Sequence, residues 1–174
     1  RGLARPLPGR VLALLAAAFP EAGADELAEL PIGRRDAYLL RLRERLFGPQ
    51  VTAVAQYPAC GEQVESTFRV DDVRLADEVA VEATHAAEID GYRATIRLPT
   101  SNDLLALADR PTARETLLAR CLLEIHDVQG KAVSAGSLPE DVIAGIAARM
   151  SAADPQANIE LSLACPACDH RWPA

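Results

Sequence analysis

Apolar positions recur with a helical period up to residue 48 and with a strand-like pattern from 50 to 98. The helical period returns from 100 to 152, and a last strand and turn occupy 157–172. Residues 11–19 read as a short buried helix that starts after Pro8-Gly9 and stops at Pro20. The clearest amphipathic helix covers 33–47, where Leu39, Leu42 and Leu46 form a stripe widened by Leu40 and Phe47. Arg34, Arg41 and Arg45 fall on its opposite face, and Gly48-Pro49 ends it. Val51 and 54–56 then lead into a turn around Cys60, and Val64, Thr67, Phe68 and Val70 lead out, which predicts a hairpin. A second hairpin is expected from 78–84 and 92–98, joined around Asp90-Gly91.

Helices follow. One is expected near Thr100, carrying Leu104, Leu105 and Leu107. The next opens on a capping box at Thr112 and Glu115 and places Leu118, Cys121, Leu122 and Ile125 at i, i+3, i+4, i+7. A polar loop spans 129–136, and a box at Ser137 and Glu140 opens a helix with Val142, Ile143, Ile146 and Met150 on its apolar face. Asp154-Pro155 closes that helix, and Ile159, Leu161 and Leu163 alternate as a strand. The whole chain, 1–174, is therefore expected to be a single α+β domain with a small antiparallel β core flanked by amphipathic helices.

Composition narrows the function classes. Charged residues make up 25% and hydrophobic residues 49%, the balance of a globular protein, while aromatics are only 4%. The net charge of −7 and the single lysine, Lys131, argue against a phosphate backbone as partner. Arg1, Arg5 and Arg10 before residues 11–19, with Ala22-Gly23-Ala24 after, imitate a signal peptide, but a buried helix is the preferred reading. The longest apolar run is too short for a membrane span, so a cytoplasmic protein without a membrane partner is expected. Enzyme motifs are missing: Ile125 stands where a P-loop ending at Gly130-Lys131 needs its first glycine, and GxSxG, HExxH and GxGxxG do not occur. His85, His126 and His170 are scattered, and no catalysis is expected.

The candidate chemistry lies in the cysteines. Cys165-Pro166-Ala167-Cys168 is a CPxC knuckle, in which two thiolates can face one cation while the turn's N–H groups face the sulfurs. Tyr57-Pro58-Ala59-Cys60 has the same register with Tyr in the first position. The expected site is a degraded zinc-ribbon-like centre held by Cys60, Cys165 and Cys168, with His170 as fourth ligand. A water or His85 could complete the site instead, or the metal could be lost with Tyr57 packed over its place. Cys121 lies on an apolar helical stripe and reads as a buried hydrophobe.

A longer resemblance runs along the same residues. The segments 30–40 (LPIGRRDAYLL), 46–49 (LFGP), the Pro-Ala-Cys-Gly-Glu knuckle, 97–107 (RLPTSNDLLAL), 138–140 (LPE), 154–157 (DPQA) and the closing 165–172 (CPACDHRW) carry it. Together they resemble the baseplate-hub assembly chaperone family of T-even-type phages and related contractile injection systems. Members of that family typically carry two complete CPxC knuckles, and Tyr57 departs from that pattern. The resemblance implies a protein that binds baseplate hub or wedge proteins during assembly. The alternatives are a structural baseplate subunit retained in the particle and, against the charge, a zinc-ribbon nucleic-acid binder.

Overall fold

The computed structural model describes residues 6–75, 82–107 and 113–174. Its elements are α1 (Leu7–Ala18), α2 (Ala24–Glu29), α3 (Ile32–Phe47), β1 (Gln50–Gln56), β2 (Gln63–Arg69), α4 (Val70–Val73), β3 (His85–Ile89) and β4 (Tyr92–Ile96). They continue with α5 (Ser101–Leu107), α6 (Ala113–Cys121), β5 (Leu122–His126), α7 (Glu140–Ala153), β6 (Ser162–Ala164) and β7 (Arg171–Pro173). The mixture of helices and small antiparallel sheets is α+β, as the alternation of periods predicts. Among the described residues no helix is long and apolar enough to cross a membrane.

Among the described residues, two apolar clusters form the body. In the first, Leu15 and Phe19 meet Leu27, with Leu39 and Leu42 of α3 packed alongside. The predicted stripe of α3 therefore buries its middle, but Leu46 and Phe47 at its end stay exposed. The arginine face is also not simply solvated: the Arg45 guanidinium lies 5.7 Å from the Phe19 ring centroid and Arg41 lies 6.0 Å from that of Tyr38. Helix α1 starts at Leu7, a turn earlier than expected, because Pro8 fits the first helical turn, where its missing N–H costs nothing.

The second cluster joins Ala94, Ile96 and Ile125 of the sheet β3-β4-β5 to Leu118 of α6 and to Val142 and Ile146 of α7. Here several sequence expectations need correction. The helical stripe across Leu118, Cys121, Leu122 and Ile125 breaks at Cys121, and 122–126 form β5 against β4. Leu122 and Ile125 are the core-packed apolar residues of a strand that pairs with β4, while Leu123 beside them is exposed. The second hairpin turns at Asp90-Gly91 as expected, both at positive φ (48° and 80°), with Ile89 opposite Tyr92. Its first arm is therefore 85–89; of the expected 78–84, positions 78–81 lie outside the described residues and 82–84 are not strand. Thr112 also lies outside them, so its capping box is not described. Ser137 does not cap α7, which follows Pro139 directly; its hydroxyl donates to the Ser134 carbonyl at 2.9 Å.

Two buried carboxylates tie these parts together. Asp103 is fully buried and accepts both Arg97 Nη atoms (2.6 and 2.8 Å), Arg120 Nε (2.7 Å) and the Thr100 N–H (2.9 Å) and hydroxyl (3.2 Å), linking the segment after β4 to α5 and α6. Asp154, at the end of α7, accepts the Gly33 N–H at 2.9 Å and so caps the start of α3 from a distant part of the chain.

Candidate metal centre

The remaining strands make two hairpins that carry the cysteine knuckles. Strand β1 pairs with β2 from Gln50↔Arg69 to Gln56↔Gln63, and β6 pairs with β7 from Ser162↔Pro173 to Ala164↔Arg171. The intervening loops, 57–62 and 165–170, have the same length and the same backbone. In the first, the Gly61 N–H donates to the Tyr57 carbonyl (2.9 Å) and the Tyr57 N–H to the Glu62 carbonyl (2.8 Å). In the second, the Asp169 N–H donates to the Cys165 carbonyl (2.8 Å) and the Cys165 N–H to the His170 carbonyl (2.9 Å). The residue after the last cysteine is left-handed in both, Gly61 at φ 77° and Asp169 at φ 56°. Glycine takes that conformation freely, and aspartate is among the few others that tolerate it. Tyr57 thus stands in the place that Cys165 fills in the second knuckle.

The knuckles face each other. Cys60 Sγ lies 3.6 Å from Cys165 Sγ, and the three sulfurs of Cys60, Cys165 and Cys168 lie within 4.8 Å of one another. Thiolates bonded to one tetrahedral zinc at about 2.3 Å sit about 3.8 Å apart, so this donor set fits the ion. The backbone N–H groups of Ala167 and Cys168 face the Cys165 sulfur, and that of His170 faces the Cys168 sulfur. Such contacts stabilise negative sulfur.

The electrostatics follow from this crowding. Burial pushes the Cys165 thiol up, but the two N–H groups and the neighbouring thiols outweigh it and hold the thiol below its ordinary value. Cys168 moves the other way: the His170 N–H favours its thiolate, but the adjacent Cys165 and Cys60 sulfurs and burial push it up. Three sulfurs so close cannot all carry charge without a cation among them. Tyr57 is raised above the ordinary phenol range by burial and by the three cysteines, Cys168 first.

The structure brings together three of the four expected site residues. His170 is not in the sulfur cluster; its ring stacks on that of Tyr57, with centroids 5.4 Å apart. Trp172 of β7 also packs on the Tyr57 ring, with centroids 4.7 Å apart, and Tyr57 is buried. Trp172 enters the sequence reading only as the last residue of the 165–172 segment, without a role; its place two residues after His170 was the available signal. His85 lies in β3, where its Nδ1 faces Glu82 at 3.9 Å, and contributes no atom to the cluster. Cys121 is fully buried apart from the cluster, as its stripe predicted, and burial pushes its thiol up to about 11.

Fold and centre together define an α+β protein whose two small hairpins meet at a three-thiol site. The chain belongs to the T4 bacteriophage base plate protein family, whose model matches residues 10–172. It is therefore a baseplate-associated phage protein, and the family points to other baseplate proteins as its partners. No match was found among curated proteins or among solved structures.

Proposed function

We propose that the protein is a non-catalytic binding factor that assists assembly of the baseplate of a phage tail or contractile injection system. It engages hub or wedge proteins stoichiometrically in the cytoplasm and leaves before the particle is complete. The observation that carries this reading is the extent of the family match, 10–172, which takes in both knuckles and the helices between them. The sequence supports it by lacking catalytic motifs. Exposed Leu46 and Phe47 at the end of α3 and Val54 on β1 supply apolar surface of the kind from which binding energy comes.

In this reading the three-thiol site is structural, a zinc-ribbon-like clip. Cys60, Cys165 and Cys168 would hold zinc and lock the two hairpins together, a bond worth folding free energy and no turnover. His170 is our candidate for the fourth ligand, because its ring already stacks on the residue that replaces the fourth thiol.

Deletion of the gene should leave tails without complete baseplates, and mass spectrometry of mature wild-type particles should find little or none of the protein. A fixed copy number in mature particles would replace the chaperone reading with that of a structural subunit. Normal assembly without the gene would defeat both.

A further inference from the structure

The missing fourth thiol leaves an odd set of three, and one pair within it is already in contact. Cys60 and Cys165 meet at 3.6 Å across two hairpins whose cysteines are 105 positions apart in the chain. A disulfide needs about 2.05 Å between sulfurs. The remaining gap between the sulfurs is about 1.5 Å. Cys60 and Cys168 are exposed, whereas Cys165 is buried. An oxidant therefore reaches Cys60 directly, and the buried partner waits beside it. We propose that a peroxide converts Cys60 and Cys165 into an inter-knuckle disulfide, so that the two hairpins have a covalent clip as an alternative to a shared cation.

The chemistry balances in two steps. Hydrogen peroxide oxidises the Cys60 thiol to a sulfenic acid and is itself reduced to water. The Cys165 sulfur then attacks the Cys60 sulfur, the S–S bond forms, the S–OH bond breaks, and a second water leaves with the Cys165 proton. Two electrons pass from the two thiols to the peroxide. Cys168 and the buried Cys121 remain thiols. A dithiol reductant reverses the change. The clip does not depend on the metal reading, since it forms from the thiols alone.

The test uses the full chain, stripped of metal with a chelator and exposed to dilute hydrogen peroxide. After alkylation under denaturing conditions, unreduced tryptic peptides are analysed by mass spectrometry. Cys165 and Cys168 lie in one peptide between Arg149 and Arg171, so fragmentation must place the bond. The expected product joins Cys60 to Cys165 within one chain, with Cys121 and Cys168 alkylated, and thermal unfolding shifts upward until a dithiol is added. Cys168→Ser should still form the bond, and Cys60→Ser should lose it. A Cys165–Cys168 bond, a bond between chains, or over-oxidation of Cys60 without a disulfide would overturn the proposal, as would loss of the bond in Cys168→Ser. Zinc content of the reduced protein, measured separately, tests the metal reading alone.

Discussion

Replacing Asp103 by alanine removes the acceptor on which five donors converge. Burial alone would raise the pKa of this carboxyl, but the Arg97 fork, the Thr100 N–H and Arg120 outweigh it and hold it well below the usual carboxylate range. Breaking a buried ion pair by deleting one partner costs about 3–5 kcal/mol. Here the side chains of Arg97 and Arg120 are 28% and 41% exposed and can turn to water, whereas the Thr100 N–H is left without its acceptor. The loss should thus fall near the lower end, about 3 kcal/mol. For a chain of this size that is a fall in Tm of roughly 6–12 °C. Because the folded pKa is depressed, the stabilisation is fully present above the unfolded carboxylate value of about 3.9 and fades as pH falls through and below it. Thermal unfolding followed by circular dichroism, for wild type and Asp103→Ala between pH 7 and pH 2, should show the two curves converging in acid. A neutral-pH loss below about 1 kcal/mol, the scale of an exposed pair, or a difference that stays flat with pH, would refute the reasoning.

Gly33→Ala should destabilise by roughly 2–4 kcal/mol in denaturant titration, since its Cβ would overlap the Asp154 carboxylate and lie 2.8 Å from the Ala157 nitrogen. Tyr57→Cys should tighten zinc binding by roughly tenfold or more and Cys60→Ser should weaken it comparably, read by competition with a chromogenic chelator. In the reduced native protein at pH 8, iodoacetamide should label Cys60 and Cys168 and spare Cys121, whose thiol burial pushes up to about 11.

The centre was largely legible in the chain because a knuckle is a local object. Pro-Ala-Cys in the same register at 58–60 and 166–168, each ahead of a residue able to take positive φ, specifies two identical turns. Convergence of their sulfurs follows from what thiolates share. The amphipathic period of α3 and the Asp90-Gly91 turn were readable for the same reason: each depends on neighbours within a few positions. A two-residue turn at Asp90-Gly91 also places the first arm immediately before it, at 85–89 rather than 78–84. Strand β5 was another matter. Leu118, Cys121, Leu122 and Ile125 satisfy a helical stripe, and only the open edge of β4, some thirty positions upstream, makes 122–126 extend. The same limit hid the carboxylate nodes. Asp154 meets Gly33 across 121 positions, and Asp103 gathers Arg97 and Arg120 from different elements. Short-range periodicity carries no record of such pairs. Burial selects them, because a charge withdrawn from water is tolerable only where the folded chain delivers its partners.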